Sequence, residues 1–305
     1  MEFNLANAIW LDHHFTLQDE FQRLNEEYFQ TMIETLVFMQ VDACVQRINS
    51  WVEAETQDRI QNFITPDDFE PQGLVFMFLL NAIYFKANWK YQFDSENTDQ
   101  DNFYLSDGSA VPCHMMEIKS KFDYYADKHM QAIDLPYANE HYAMTILLPG
   151  NPAALDSLLM HINQSELNRI TGAMQPDSIN VFLPKLELEY EKSLVDALQS
   201  MGMQLAFGGA DFSRLIQELK SQIFIKKVRQ KSFLKLEETG TEAAAATVVV
   251  MMYRGDNSGA EEEIYMHIDH PFLLVIREKR SGTILFCGKI IQLERPFGDD
   301  EKAKA

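Results

Sequence analysis

Cysteine is scarce in this chain: three residues among 305, Cys44, Cys113 and Cys287, each in a different context. An odd, scattered set excludes a disulfide framework and a paired C-x-x-C zinc site, and each thiol is expected to be a small buried hydrophobe. Long apolar runs are missing as well. The longest, residues 74–85, is interrupted by Asn81 and is too short to cross a bilayer. Positive charge is in deficit, with 26 basic residues against 46 acidic ones and a formal net charge of −20. The averaged field therefore repels phosphate backbones and anionic headgroups, and neither nucleic acid nor membrane is an expected partner. The first residues, Met1-Glu2-Phe3-Asn4-Leu5-Ala6-Asn7, have neither the basic flank nor the unbroken apolar core of a secretory signal.

Recognisable catalytic motifs are absent too. There is no G-x-S-x-G elbow, no phosphate-cradling G-x-x-x-x-G-K-[ST] loop and no dinucleotide fingerprint. His267-Ile268-Asp269-His270 leads into the apolar run 271–276 with no helix to hold two ligands on one face, so no metal site is expected there. Gly255-Asp256-Asn257-Ser258-Gly259 is superficially similar to the loop around a serine nucleophile. Nothing ties it to a His and Asp pair, and it reads as a turn cluster. Neither an enzyme nor a cofactor is indicated.

What the chain does have is a globular composition, 46% hydrophobic and 24% charged, with enough length for a large core. Residues 3–11 read as a strand. A helix follows with a capping-box-like start at Thr16 and Asp19 and an apolar face of Leu17, Phe21, Leu24 and Tyr28. A second amphipathic helix is expected over 44–64. Residues 73–85 are uniformly apolar and rich in β-formers, which predicts a central strand buried on both faces. Further strands are expected at 143–148, 178–188, 222–236, 272–277 and 283–291, with helices near 153–162 and 191–201. Strands dominate without strict β-α alternation, so the class is α+β. No internal repeat and no linker-like stretch divides residues 1–305, and a single domain is the expected organisation.

One segment contradicts itself. Glu242-Ala243-Ala244-Ala245-Ala246 favours helix, whereas Thr247-Val248-Val249-Val250 directly after it favours strand. Small side chains followed by β-branched ones suit a segment that adopts two conformations and can enter a crowded sheet.

Together with that segment, a series of short motifs resembles the serpin family along nearly the whole chain. The matching pieces are Ile48-Asn49-Ser50-Trp51-Val52 with Thr56 and Ile60, Asn81-Ala82-Ile83-Tyr84-Phe85-Lys86 with Asn88-Trp89, and Leu135-Pro136-Tyr137. They continue with Leu147-Leu148-Pro149, Leu183-Pro184-Lys185, Met201-Gly202 and Ala210-Asp211-Phe212-Ser213. The hinge 240–247, His270-Pro271-Phe272 and Leu285-Phe286-Cys287-Gly288 complete the series. The resemblance implies a serpin fold of three β-sheets with surrounding helices and an exposed reactive loop at about 238–263. In inhibitory members a protease attacks the loop, and the cleaved loop then enters the main sheet before the acyl-enzyme can hydrolyse.

Family register makes Glu238, Gly240, Thr241, Glu242, Ala243, Ala244, Ala245, Ala246 and Thr247 the loop hinge. Strand period two then sends Thr241, Ala243, Ala245, Thr247 and Val249 inward and Glu242 outward. None of the inward residues is charged, and no proline interrupts 240–254, so insertion is permitted. The 17 residues from Glu238 to Arg254 inclusive match the family's spacing to the scissile residue. The expected bait is therefore Arg254-Gly255, suited to trypsin-like serine proteases, and a one-residue slip would offer Tyr253 to chymotrypsin-like ones. The sheet-opening region implied by the family is Trp89, Asn81, Gln230 and Lys185, with Lys185 paired to Glu238. Gln230 stands where the family usually has histidine, which removes a group that titrates near neutrality.

The resemblance implies a monomeric suicide inhibitor that acts extracellularly, although the residues themselves specify no compartment. Alternatives are a non-inhibitory carrier, chaperone or storage member, an inactive fragment, and a cross-class inhibitor of a cysteine protease. Residues 5–10 resemble the family's second main-sheet strand, so the helical block that normally precedes it is expected to be missing. Met1 is then either an internal methionine of a longer reading frame or the start of a short form.

Overall fold

The computed structural model describes residues 2–69, 75, 77–217, 224–225, 228–241 and 263–293. In chain order the elements are β1 (Glu2–Asp12), α1 (Asp19–Phe29), β2 (Met32–Leu36), α2 (Val41–Glu55), β3 (Met77–Asn88), β4 (Thr98–Tyr104) and β5 (Ala110–Ala126). They continue with β6 (Met130–Pro136), β7 (Tyr142–Pro149), α3 (Leu155–His161), α4 (Gln164–Ala173), β8 (Gln175–Pro184), β9 (Leu186–Ser193) and α5 (Val195–Ser200). The last are β10 (Arg229–Glu237), β11 (Gly240–Thr241), β12 (Ile264–His267), β13 (Phe272–Glu278) and β14 (Ile284–Ile290). Two compact units share the chain, one of Glu2–Phe85 and Glu189–Phe233 and the other of Lys86–Leu188 and Leu234–Ala305.

In the first unit β1 and β2 pair in parallel from Ala8 opposite Met32 to Asp12 opposite Leu36. Strand alternation divides β1 between two cores. Ala6, Ala8 and Trp10 face Cys44, Ile48 and Val52, which recur at i, i+4 and i+8 along α2, while Ile9 and Leu11 pack with Leu17 and Ile216. The expected helix over 44–64 stops at Glu55, because Gln57 and Asp58 take left-handed φ angles of 51° and 62°. Ile60 and Phe63 still reach the same core from an irregular segment. The first helix also starts later than its capping signal suggests. Leu17 is buried and forms a bridge with Ile216, so tertiary pairing claims the residue that local pattern gives to the helix. On β3, Leu80, Ala82 and Phe85 are buried but Leu79 is 54% exposed, so this strand is not covered on both faces along its length.

The second unit is mostly antiparallel sheet. Strand β5 is its axis: residues 110–116 pair with β4, 115–124 with β8 and 123–126 with β6, after which β7, β13 and β14 follow in order. Counted by hydrogen bonds, the described strands form a six-stranded and an eight-stranded sheet. The serpin arrangement of three sheets is met because β5 is continuous between two of them. Helices α3 and α4 cover one face, with Leu155, Leu167 and Ile170 packed on Met130, Ala132, Leu147, Leu273 and Val275. Within the sheet Arg277 and Asp134 form a buried ion pair at 2.5 Å, and Thr145 accepts from Arg277 at 2.8 Å and donates to Asp134 at 2.6 Å. The strand expected over 178–188 is broken at Lys185, between β8 and β9. Cys44 and Cys113 are buried as expected, but Cys287, on β14, is exposed.

Candidate functional site

After Glu237 the chain reverses over Glu238-Thr239 and returns as β11, which pairs antiparallel with β10 through Gly240 opposite Glu237 and Thr241 opposite Leu236. The same two residues pair antiparallel with β3, Gly240 opposite Asn88 and Thr241 opposite Ala87. Gly240 and Thr241, both assigned to the hinge from sequence, thus lie between two strands. Glycine is required at position 240: φ is +156°, and a Cβ would collide with the Ala87 carbonyl oxygen and stand 2.6 Å from Asn88 Cα, both backbone atoms.

Neighbouring groups fix the reversal from two directions. The Trp89 and Phe93 amides donate to the carbonyls of Thr239 and Glu238 at 3.0 and 2.9 Å. Trp89, 3% exposed, donates from its indole Nε1 to the Glu237 carbonyl at 3.0 Å and stacks on Tyr137 at 4.8 Å between ring centroids. Tyr137 and Thr241 are both fully buried, and their hydroxyls share a 2.8 Å hydrogen bond. Burial pushes the Tyr137 phenol well above its usual range, so it stays a neutral donor or acceptor at any working pH.

Charge fixes the other side. Lys185 Nζ lies 3.0 and 3.1 Å from the two carboxylate oxygens of Glu238, and Thr98 Oγ1 donates to one of them at 3.0 Å. With side chains only 18% and 15% exposed, this pair is sheltered from the screening that makes surface pairs weak. Burial opposes ionisation of Glu238, but hydrogen bonds from its own backbone N–H, Lys185 and Thr98, with the Lys185 charge, outweigh it and hold the carboxyl below its usual range.

Of the predicted site residues, Trp89, Lys185, Glu238, Gly240 and Thr241 come together here. Asn81 and Gln230 belong to the first unit, where β3 and β10 pair in parallel at Ile83 and Ser232. That register sets Gln230 level with Asn81, yet Asn81 donates to Asn7 Oδ1 at 2.9 Å and Gln230 to Ser232 Oγ at 3.2 Å. Glu242, Ala243, Ala244, Ala245, Ala246, Thr247, Tyr253, Arg254 and Gly255 lie outside the described residues. Two members of the cluster were not singled out from sequence. Tyr137 lay within a recognised motif, but its partner is 104 residues away; Thr98 carried no signal, since an isolated threonine after Glu96-Asn97 reads as an ordinary turn exit.

Comparison with known proteins identifies the family. The family model for serpins, described as serine protease inhibitors, matches residues 1–293. Human serpin I2 is 30% identical over 296 residues, 94% of this chain and 70% of that one, and neuroserpin of Gallus gallus is 31% identical over 300 residues, 95% and 71% respectively. The solved structure of Serpin48, a highly specific serpin in the insect Tenebrio molitor, aligns with a TM-score of 0.81 at 29% identity, covering 96% of this chain and 76% of that one. Serpins are generally protease inhibitors, and homologues include non-inhibitory members. An α+β chain whose residues 1–293 match the family model, and which is 30% identical to human serpin I2 over 94% of its length, belongs to the serpin family.

Proposed function

We propose that the protein is a suicide-type inhibitor of trypsin-like serine proteases, acting as one serpin domain with a reactive loop at about 238–263. The protease's serine oxygen attacks the Arg254 carbonyl and forms an ester, and the Gly255 amine leaves as a new amino terminus. Insertion of the freed loop between β3 and β10 then competes with hydrolysis of that ester. The protein supplies no catalytic group in this scheme, since nucleophile and base both belong to the protease. Action in the extracellular space, as a monomer, is part of the same proposal and rests on family resemblance.

The observation that carries the reading is the placement of Gly240 and Thr241 as β11, hydrogen-bonded on both sides with Thr241 fully buried. Continuing that strand by period two sends Ala243, Ala245 and Thr247 to the same inward side, and all are small and uncharged. The test is incubation with trypsin followed by denaturing electrophoresis and mass spectrometry. A complex that survives denaturation, with the new amino terminus at Gly255, is expected for wild type. Ala243→Arg, at the next inward position after β11, should turn the inhibitor into a substrate cut at the same bond, because insertion would have to bury an unpaired charge. Quantitative cleavage of wild type at Gly255 with no stable complex would move the protein to the non-inhibitory class, and cleavage elsewhere would refute the register.

A further inference from the structure

At the end of β1 the chain reads Asp12-His13-His14, and in a continued strand the two rings would project to opposite faces. They do not, because the strand ends there. His13 N–H donates to the Leu36 carbonyl at 2.9 Å, Phe15 N–H folds back to the Asp12 carbonyl at 3.0 Å, and the turn brings both imidazoles to one side with ring centroids 3.8 Å apart. Both Nδ1 atoms then converge on one carboxylate: His14 Nδ1 is 2.6 Å from Asp12 Oδ1, and His13 Nδ1 is 3.5 Å from Oδ2.

We propose that Asp12, His13 and His14 form a binding site for a divalent transition-metal cation of the zinc type, with ligands Asp12 carboxylate, His13 Nδ1 and His14 Nδ1. The donor set is that of many zinc sites, and one ligand atom from each residue lies within 4.8 Å of the others. Tetrahedral zinc with bonds near 2.0–2.1 Å sets its ligand atoms about 3.3 Å apart, and the 2.6 and 3.5 Å separations of the imidazoles from the carboxylate lie on either side of that value. Asp12 is already oriented. It is 6% exposed, and the Phe38 and His14 amides donate to its two oxygens at 3.0 and 3.1 Å, which is the kind of outer support that fixes a ligating carboxylate. The histidine side chains are 40% and 66% exposed, so the cation has an open approach and keeps water in its remaining position.

Coordination needs the lone pair of each Nδ1. A neutral ring that carries its proton on Nδ1 moves it to the solvent-facing Nε2 with no net release, and a protonated ring releases one proton. The Asp12 carboxylate supplies one negative charge and is held in place by the backbone N–H groups of Phe38 and His14. Because Phe38 lies just before α2, the bound cation would tie the end of β1 to the turn that leads into that helix.

The test is zinc chloride titrated calorimetrically into the full chain after chelator treatment, with cobalt(II) absorption as a second readout of a nitrogen and oxygen ligand field. Wild type should take up one Zn2+ per chain at micromolar concentration or below, with a rise in Tm. His13→Ala and His14→Ala should each weaken binding more than about tenfold, at least the loss that a missing supporting group causes at such sites, and the double variant should bind none there. Both rings are exposed, so the variants should keep the wild-type circular dichroism spectrum. His129→Ala should bind as wild type does. No uptake by wild type, or uptake unchanged in the folded double variant, would overturn the assignment.

Discussion

Removal of the Tyr137 hydroxyl, Tyr137→Phe, isolates the contact between Tyr137 and Thr241 of β11. The ring and its 4.8 Å stack on Trp89 are kept, while Thr241 Oγ1 loses a 2.8 Å partner at a position with no solvent exposure. A buried polar group deprived of its partner costs about 1–3 kcal/mol. Thr241→Val removes the other half of the same hydrogen bond and should cost a similar amount, since Thr241 has no solvent exposure. In the double variant both polar atoms are gone and the shapes are nearly kept, so the loss should be no greater than for either single change. The expected coupling is therefore about 1–3 kcal/mol, within the range for residues in direct contact. Denaturant unfolding of the four proteins measures it, and at about 2–4 °C per kcal/mol for chains approaching this size each single variant should lower Tm by about 2–12 °C. Strictly additive losses would refute the claim that these hydroxyls hold each other.

Further outcomes follow from neighbouring geometry. Gly240→Ala should cost more than about 1 kcal/mol and weaken the pairing of β11, measured as faster amide exchange at Thr241, because a Cβ there meets the backbone of Ala87 and Asn88. Arg277→Met should destabilise by about 3–5 kcal/mol in chemical denaturation, nearer the lower figure because Lys279 Nζ remains 3.8 Å from Asp134. His270 donates to Asp269 at 2.7 Å and to the Pro149 carbonyl at 2.8 Å, and although burial disfavours its charge these bonds raise its pKa above the usual value. Its contribution is thus full below the ordinary histidine pKa of about 6.5 and lost as pH rises through the raised value; stability measured from pH 5 to 9 should fall across that step in wild type and not in His270→Ala. Glu238 is shifted the opposite way, so its pairing with Lys185 persists above the ordinary carboxylate pKa and is lost only in stronger acid. Glu238→Gln should remove that acid-dependent component.

The strands at 143–148, 272–277 and 283–291 were legible because each is a short apolar run with β-branched residues, and the structure places them as β7, β13 and β14. Strands β2, β4, β5 and β6 were not singled out. Met32–Leu36 is stabilised by its pairing with β1, and Thr98–Tyr104, mostly polar and exposed, by its pairing with β5. Such strands carry little signal of their own, since cross-strand partners rather than intrinsic preference hold them. The helix α4, Gln164–Ala173, was missed for a similar reason: only Leu167 and Ile170 are buried, too few for a clear period. At the site, the motif series led to Glu238, Gly240, Thr241, Lys185 and Trp89, whereas Tyr137 and Thr98 entered through contacts that span 104 and 140 residues of chain.

By itself the sequence determined what depends on composition and on near neighbours: an α+β class, an acidic surface charge, a hinge with no charge on its inward side, and membership of a family whose motifs are spread along the chain. Tertiary structure alone decided that a tyrosine hydroxyl holds Thr241 and that two consecutive histidines turn to one side of an aspartate. The tyrosine contact needs side chains from distant segments to arrive within about 3 Å of one another, and the histidine turn needs β1 to end where the Leu36 carbonyl takes the His13 amide. Local preference acts over a few residues, so it cannot encode a separation that only the packed core fixes.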